Sequence, residues 1–376
     1  MVLTSLIITI LYLILIGSFA LGFDKVPVFK LEDLPSKTKF SVIISFRNEA
    51  EHVPELLKSI DTLNYPKHLF EIILVDDASQ DNSVKLINNF LKTNLAKTPI
   101  SIIKNERKTN SPKKDAITSA INQAKNEWII TTDADCILPK YWLDSFDEYI
   151  QKTNAKCIAA PVTYQSTNSF LNRFQLLDLL SLQGATIGGF GLKKPFLCNG
   201  ANFGYQKSLF KALNGFDGNS NIASGDDIFL LEKVAKKHSE TLHYLKCEQT
   251  IVSTESQASW KHLLSQRLRW AAKTSAYNNW FGKLTGIIVL VMNALIITTG
   301  LLVLIGSFNF KILLYILFIK LNIDFFLIYK SATFFYQKDI LQSFVFGFLL
   351  YPFFSLYIAF LSVFSNYKWK GRTFKK

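Results

Sequence analysis

The chain has 376 residues, of which 49% are hydrophobic and 19% are charged, and its formal net charge is +13. This composition excludes a disordered chain, a collagen-like repeat and a coiled coil. Four cysteines in this length do not form a disulfide framework, so a small disulfide-stabilised protein is excluded as well.

The chain begins with a long apolar segment. Residues 1–23 carry no charge and exceed the about 20 residues that cross a hydrocarbon layer. Residues 18–20 have the small-x-small pattern of a signal-peptide cleavage site, but the segment has no basic start and its apolar core is too long. We therefore predict an uncleaved transmembrane anchor over residues 1–23. Basic residues mark the cytoplasmic side of a span. Four of them follow the anchor: Lys25, Lys30, Lys37 and Lys39.

The next part of the chain alternates predicted strands with predicted helices. Short apolar runs predict strands at 40–46, 71–75, 100–103 and 128–132. Helical patterns lie at 53–60, 84–91 and 115–124, and Pro139 is expected to open another helix. Strands separated by helices of about ten residues predict a mostly parallel sheet with right-handed crossovers.

Acidic pairs follow two of these strands. Asp76 and Asp77 end the second strand, and Asp133 and Asp135 end the fourth. Because ligands of such sheets bind beyond the carboxyl ends of the strands, the two pairs indicate one binding edge. The phosphate loops of dinucleotide enzymes and P-loop ATPases are absent from the sequence. Carboxylates suit Mg²⁺ or Mn²⁺, which would neutralise the charge on a departing diphosphate.

Two later motifs carry further candidate groups. Asp226 and Asp227 open a predicted helix, where one of them could deprotonate an incoming hydroxyl, although Asp226 could equally cap the helix. The sequence QRLRW at 266–270 offers arginines for diphosphate oxygens and an indole that could stack on a sugar. The alternative for this motif is a basic aromatic segment at a membrane interface.

The C-terminal part is again apolar. Uncharged runs at 284–310 and 341–367 enclose a further apolar segment that contains Lys320 and Asp324. In a helix these two residues share a face, so we predict an ion pair, with a structural role favoured over a role in transport. The sequence thus predicts about three membrane segments within 284–366.

The basic tail at 367–376 leaves the topology open. Three spans after a cytoplasmic domain place the tail outside, whereas its five basic residues predict a cytoplasmic position. A re-entrant hairpin kinked at Pro352 would resolve this conflict. The basic clusters lie beside apolar segments, which favours contact with anionic lipid headgroups, so we predict no nucleic-acid partner.

Five sequence blocks now carry a family resemblance. SVIISFRNEAE, VDDASQDNS, TTDADC, SGDD and QRLRW stand in the order and approximate spacing found in family 2 glycosyltransferases. The resemblance covers about residues 38–275 and is closest in character to the membrane-bound branch, with polysaccharide synthases and ceramide-glucosyltransferase-like enzymes. It implies an α/β GT-A catalytic domain, Rossmann-like with a mostly parallel sheet, over 38–280, together with flanking transmembrane helices. Within it, 168–186 and 257–280 are expected to be interface helices, although core packing is the alternative for the first.

The resemblance also implies roles for matching positions. Ser45 stands where relatives have proline, and Lys113 stands where many have glycine. The implied donor-binding residues are Glu49, Asp76, Asp77, Lys114, Asp133, Gln266 and Arg269. The implied metal ligands are Asp135 and Asp133, the catalytic pair is Asp227 as base with Asp226, and the acceptor-binding residues are Trp270, Asn199, Gly200 and Asn202.

We therefore expect an inverting glycosyltransferase whose donor is a nucleotide sugar, with a UDP-sugar favoured. The expected cofactor is Mg²⁺ or Mn²⁺. Four membrane segments are few for a channel, so a lipid or lipid-linked acceptor is favoured. A processive polysaccharide synthase is the alternative, and a transporter or binding module with a degenerate domain is a remote one. We expect a multi-pass protein of a bacterial inner (plasma) membrane, with its catalytic domain in the cytoplasm.

Overall fold

A computed structural model describes residues 1–93, 98–165, 168–220, 222–272 and 276–364, and the backbone of 367–369 and 372–374. Its contacts divide the chain into two compact units, each made of separate stretches of sequence. The helical unit comprises Met1–Val26, Ser166–Leu197 and Ser256–Lys376. The sheet unit comprises Pro27–Gln165 and Cys198–Glu255.

Helices and strands alternate along much of the chain. The helices are α1 (Val2–Lys25), α2 (Val53–Asp61), α3 (Ser83–Thr93), α4 (Pro112–Gln123), α5 (Trp142–Lys152), α6 (Phe170–Gly191), α7 (Lys207–Ala212), α8 (Asp226–Lys237), α9 (Trp260–Ala272), α10 (Trp280–Leu304), α11 (Phe310–Phe334) and α12 (Phe344–Phe364). The strands are β1 (Phe40–Phe46), β2 (Phe70–Asp76), β3 (Ile100–Lys104), β4 (Trp128–Asp133), β5 (Cys136–Ile137), β6 (Cys157–Ala159), β7 (Val162–Tyr164), β8 (Phe203–Gln206), β9 (Leu242–Tyr244), β10 (Val252–Thr254), β11 (Tyr367–Trp369) and β12 (Arg372–Phe374).

The first four strands form where apolar runs predict them. Two helix starts differ by three residues: the helix predicted from residue 115 begins at Pro112, and the helix expected to open at Pro139 begins at Trp142. The backbone N–H of Trp142 donates to the carbonyl oxygen of Pro139 at 3.1 Å, so the proline lies in the turn that precedes α5.

The main sheet of the sheet unit has the strand order β3-β2-β1-β4-β8-β6-β9. Strands β3, β2, β1 and β4 are parallel, whereas β8 runs antiparallel to both β4 and β6. The register pairs Phe46 with Asp76 and Ser45 with Asp133. The acidic ends of β2 and β4 therefore flank the carboxyl end of β1, as the parallel arrangement predicts.

Helix α2 shows how apolar spacing builds the core of this unit. Val53, Leu56, Leu57 and Ile60 recur at helical spacing, and each is at most 2% exposed. They pack with the buried side chains of β1 and β2 in one cluster. Burying a side chain of this size contributes about 1.5–3 kcal/mol, so this face fixes α2 against the sheet.

Acidic side chains of α5 hold the segment that leads into β1. The carboxylates of Asp147 and Glu148 are buried and accept backbone N–H groups at 2.8–3.1 Å. The four donors are Glu32, Leu34, Lys37 and Thr38. This segment lacks helix and strand, so the two acids supply the hydrogen bonds that its backbone needs.

Asp144 on the same helix makes the sheet unit sensitive to pH. Burial, with the nearby charges of Asp147 and Glu148, raises the pKa of Asp144 to about 6 from its ordinary value of 3.8. A folded-state pKa above the unfolded value means that this contribution to stability is complete below about pH 4 and is lost as the pH rises to about 6.

We therefore expect Asp144→Asn to unfold at a higher temperature than the parent at pH 7. The unfolding temperatures should differ by about 2–4 °C, which corresponds to a change of about 1 kcal/mol in the free energy of unfolding after discounting for the partial exposure of Asp144. The difference should vanish near pH 4. Thermal unfolding of both proteins between pH 4 and 7 measures it. The exposed control Glu51→Gln should follow the parent, and equal shifts in both variants would contradict this assignment.

The helical unit contains long apolar helices. Among the described residues, four stretches are long and apolar enough to cross a membrane: Val2–Lys25, Trp280–Leu304, Phe310–Phe334 and Lys338–Phe364. Pro352 lies inside α12 without ending it. The side on which the C-terminus lies stays a prediction.

Helices α1 and α6 cross at glycines. A Cβ atom added to Gly188 would overlap the backbone of Phe19, and one added to Gly191 would overlap the carbonyl oxygen of Gly22. Small residues permit this backbone-to-backbone approach between apolar helices, where dispersion rather than water exclusion supplies the attraction. The crossing therefore depends on the absence of side chains at these positions.

Among the described residues, the helical unit contains two largely buried ion pairs, beside the more exposed pair of Lys330 and Asp24. The predicted pair between Lys320 and Asp324 forms, with an N–O distance of 2.5 Å, and the Tyr12 hydroxyl donates to the other carboxylate oxygen at 2.6 Å. The second pair joins Arg267 on α9 to Asp178 on α6 at 2.7 Å. Each pair neutralises charges that would be costly to bury alone.

Candidate active site

Lys113 brings two acidic motifs of the sheet unit together. Its ammonium lies 2.7 Å from Asp133 at the end of β4 and 3.3 Å from Asp226 at the start of α8. Burial lowers the pKa of Lys113, but the charges of Asp133 and Asp226 outweigh burial and raise it, so the ammonium stays charged. Motifs that lie about ninety residues apart in the chain thus meet at one cation.

Asp227, the next residue on α8, accepts hydrogen bonds from backbone N–H groups. Its Oδ2 accepts the backbone N–H of Gly200 at 3.0 Å, and its Oδ1 accepts the N–H of Ile228 at 2.8 Å. The carbonyl oxygen of Gly200 in turn accepts the hydroxyl of Thr131 on β4 at 2.9 Å. Asp227 is partly exposed whereas Asp226 is buried, so Asp227 is the more accessible carboxylate of the pair.

The structure places Lys114 differently from the expectation. Lys114 is 2% exposed, and its ammonium donates to the carbonyl oxygens of Asn219 and Ile222 at 2.7 and 3.0 Å. Consecutive residues of a helix point about 100° apart, so one lysine of α4 reaches the acids and the next reaches the loop before α8. The resemblance implies Lys114 because many relatives have a lysine directly after a glycine. In this structure the lysine that contacts the acidic residues is instead Lys113.

The two lysines should separate catalysis from folding. We expect Lys113→Met to lower turnover at least about tenfold, the factor for loss of about 1.4 kcal/mol, with little change in unfolding temperature. Lys114→Met should instead lower the free energy of unfolding by about 1–3 kcal/mol, because buried carbonyls lose a charged donor. Turnover and thermal unfolding of both variants test this, and the reverse pattern would contradict it.

The expected nucleotide-contact residues lie at the ends of β1 and β2. Asp77 accepts hydrogen bonds from Arg107 Nε at 2.7 Å and Asn105 Nδ2 at 2.8 Å. Asp76 accepts the N–H of Ser79 at 2.9 Å, which orders the turn after β2. Arg107 follows β3, so the rule that ligands meet at carboxyl strand ends would have found it.

His52 joins two acids at this edge. Its Nδ1 lies 3.0 Å from Glu49 Oε2, and its Nε2 lies 3.5 Å from Glu255. Burial lowers the pKa of His52, but the hydrogen bond and charge of Glu49, with Asp135 and Glu255, raise it overall. No sequence motif marks His52, which lies three residues after Glu49.

The acceptor segment has one exposed and one buried part. The Asn199 side chain accepts the N–H of Ala201 at 3.0 Å and is partly exposed. Asn202, by contrast, is completely buried and bonds to Trp142 Nε1, Pro161 O and Thr250 O. These bonds give Asn202 a structural position rather than the expected acceptor contact.

The QRLRW motif lies on α9 in the helical unit. Arg267, which was not among the expected site residues, is 6% exposed, pairs with Asp178 and lies with its guanidinium 4.2 Å from the Trp270 ring centre. The Gln266 side chain accepts a hydrogen bond from Arg267. Arg269 and Trp270 are partly exposed. The middle arginine therefore orders the motif, and its partner could not be found from local sequence.

The carboxylate pair of Asp133 and Asp135 has the donor chemistry for a hard divalent cation. Both side chains are partly exposed and lie two residues apart at the end of β4. Among the described residues, no group of three or more His, Cys, Asp or Glu side chains forms a complete cation site. A cation held here would therefore take its other oxygen ligands from a diphosphate and water. The neighbouring Cys136 is buried, and burial raises the pKa of its thiol, so the thiol stays protonated and is a poor nucleophile.

Comparisons with known proteins decide the family. The family description Glycosyl transferase family 2 matches residues 41–213, and Glycosyl transferase family group 2 matches residues 128–364. The chain belongs to the family 2 glycosyltransferases. The resemblance predicted from the five sequence blocks is therefore confirmed, and the protein is an enzyme of the transferase class.

Relatives of this glycosyltransferase differ in what they make. Poly-beta-1,6-N-acetyl-D-glucosamine synthase of Staphylococcus epidermidis is 26% identical over 241 residues, which cover 61% of this chain and 53% of the relative. Undecaprenyl-phosphate 4-deoxy-4-formamido-L-arabinose transferase of Proteus mirabilis is 38% identical over 99 residues, 26% of this chain and 29% of the relative. The glycosyltransferase thus spans about half the length, or less, of these curated relatives.

A solved structure supports the fold. The mannosyltransferase PcManGT from Pyrobaculum calidifontis, in complex with GDP-Man and Mn²⁺, superposes with a TM-score of 0.57 over 96% of both chains at 16% identity. The expected GT-A fold with a mostly parallel sheet is confirmed. The four long apolar helices of this glycosyltransferase indicate a membrane protein.

Proposed function

We propose that the protein is an inverting glycosyltransferase that moves a sugar from a UDP-sugar to the hydroxyl group of a membrane lipid or lipid-linked acceptor. The proposal rests on one cluster of charged residues, which lies at the carboxyl end of β4 and the start of α8. Its members are Asp133, Lys113, Asp226 and Asp227. A cation between two acidic motifs, beside a partly exposed carboxylate, is suited to both donor binding and proton removal.

The donor would bind at the ends of β1, β2 and β4. Glu49 and Asp77 would contact the nucleoside, and Asp77 is already oriented by Arg107 and Asn105. Asp135 and Asp133 would hold Mg²⁺ or Mn²⁺. When bound, the cation stabilises the negative charge on the diphosphate leaving group. We assign the site lysine to Lys113, while Gln266 and Arg269 remain candidate diphosphate contacts.

Asp227 would act as the general base. Its carboxylate takes the proton of the acceptor hydroxyl as the oxygen attacks the anomeric carbon from the face opposite the diphosphate. The bond from that carbon to the diphosphate oxygen breaks, and UDP leaves with the electron pair. One displacement at an α-linked donor gives a β-linked product. Asp226, paired with Lys113, would fix the orientation of the helix start.

The membrane would supply the acceptor. The apolar helices of the helical unit support a multi-pass protein of the bacterial inner (plasma) membrane, with the sheet unit in the cytoplasm, where nucleotide sugars are available. Trp270 and Asn199 would lie on the acceptor path. Transfer of a single sugar is favoured, because four candidate spans are few for a polymer channel.

A processive polysaccharide synthase is the second candidate. The similarity to a poly-beta-1,6-N-acetyl-D-glucosamine synthase over 61% of the chain favours it. The two candidates share the donor chemistry and differ in the product, so only the product separates them.

The deciding experiment incubates the full-length protein in nanodiscs with one labelled nucleotide sugar at a time and a bacterial lipid extract. Mass spectrometry of the lipid phase and sizing of the aqueous phase identify the product. A single added sugar on an extractable lipid supports the proposal, and a long polymer supports the synthase. Failure to consume any nucleotide sugar from a panel that includes UDP-hexoses, UDP-N-acetylhexosamines and GDP-hexoses would refute both.

A further inference from the structure

The helical unit encloses a cavity of about 750 Å³. Its wall is formed by α1, α6, α9, α10, α11 and α12, with short segments next to them. Cavities of about 300–1,000 Å³ with mostly apolar walls are the size of drug-sized ligand sites. All lining residues belong to the helical unit, and none of them is a residue of the acidic site.

Polar groups interrupt the apolar wall. Thr285 on α10 is 8% exposed and lines the cavity, and its hydroxyl has no hydrogen-bond partner among the residues that the structure describes. Ser355, also in the wall, accepts a hydrogen bond from the buried amide of Asn293 at 3.2 Å. A buried hydroxyl without a partner costs free energy, so a ligand that bonds to Thr285 would recover it.

The charges in the wall cancel. Its charged residues are two acids and two lysines: Asp178, Asp324, Lys283 and Lys320. Lys320 is paired with Asp324, and Asp178 is paired with Arg267 behind the wall. A phosphate head would find both carboxylates and Lys320 of the wall already paired, with only the exposed Lys283 as a counter-ion. An uncharged head with hydroxyl groups needs no counter-ion and matches Thr285, Tyr12 and Ser355.

We propose that this cavity binds a neutral lipid alcohol, with its hydrocarbon in the apolar part and its hydroxyl head at the polar groups. The inference concerns lipid binding in the helical unit alone and goes beyond the proposed function.

Two glycines of α10 allow a matched test. A Cβ atom added at Gly286, which lines the cavity, or at Gly300, which does not, would meet no atom within 4 Å. The first side-chain atom is therefore accommodated at either position, but only at Gly286 does a leucine side chain start from the cavity wall. Thr285→Val with Thr299→Val forms a second pair, because the Thr299 hydroxyl bonds to Leu295 O within α10.

The probe is a diacylglycerol with a diazirine in one acyl chain, added to the full-length protein in phosphatidylcholine nanodiscs. Mass spectrometry locates the photolabelled residues. We expect labels on α1, α10, α11 and α12, a decrease of about tenfold or more in Gly286→Leu, and parent-level labelling in Gly300→Leu. Unlabelled diacylglycerol should displace the probe, and a polyprenyl phosphate at equal concentration should not. Thr285→Val should require more diacylglycerol for half-maximal labelling than Thr299→Val.

Parent-level labelling of Gly286→Leu, or displacement by the polyprenyl phosphate at lower concentration than by diacylglycerol, would overturn the inference. Labelling does not depend on transfer, so it should be unchanged in Asp227→Asn. Labels that lie outside the cavity would refute the cavity assignment, whatever product the transfer reaction gives.

Discussion

Asp227→Asn is expected to lower turnover by about 10²-fold or more, while the affinity for UDP hardly changes. The substitution preserves the shape of the side chain and removes its ability to take a proton. Donor binding should survive, because the expected nucleoside and cation contacts lie at Glu49, Asp77 and Asp135. Steady-state turnover and calorimetric UDP titration of the full-length protein measure the two effects.

Asp226→Asn and Asp217→Asn serve as comparisons. Asp226 is held by Lys113 at 3.3 Å, so its loss should affect turnover and donor affinity together. Asp217 is exposed in the loop before α8, and its variant should match the parent. If UDP affinity falls as far as turnover in Asp227→Asn, this residue is a donor ligand and the role of base passes to Asp226.

Asp135→Ala is expected to abolish transfer and to weaken binding of Mn²⁺ in the presence of UDP. Carboxylate oxygen is the preferred ligand of such cations, and alanine supplies none. Electron paramagnetic resonance of Mn²⁺ measures the binding without any need for turnover. For the parent, EDTA should stop transfer until Mn²⁺ or Mg²⁺ is restored. Full activity of the parent in excess EDTA, or unchanged Mn²⁺ binding by Asp135→Ala, would count against the assignment.

The sheet and its acidic edge follow from local sequence. Apolar runs end at Asp76 and Asp133, and parallel pairing alone places both beside the end of β1. The different roles of Lys113 and Lys114 do not follow from local sequence. Neighbouring side chains of a helix point about 100° apart, so a one-residue error in the alignment selects the wrong lysine. The pairing of Arg267 with Asp178 joins helices that lie far apart in the chain, and no local pattern encodes it.

The unit boundaries show the same limit. A domain over 38–280 is the natural prediction when globular composition is read along the chain. The contacts instead assign Ser166–Leu197 and Ser256–Lys376 to the helical unit, together with the first helix. These stretches contain the segments 168–186 and 257–280, which the sequence predicts as interface helices within that domain, so the two descriptions differ in the unit to which these helices are assigned.

The glycine crossing of α1 and α6 has a consequence for biosynthesis. Helix α1 leaves the ribosome before α6, which ends at Gly191, so at about 5–20 residues per second α1 waits roughly ten to thirty seconds for this neighbour. Its glycine surface, which accepts no substitute side chain, is uncovered during that interval. A soluble fragment starting after α1 would carry α6 with Gly188 and Gly191 uncovered, and would be prone to aggregate.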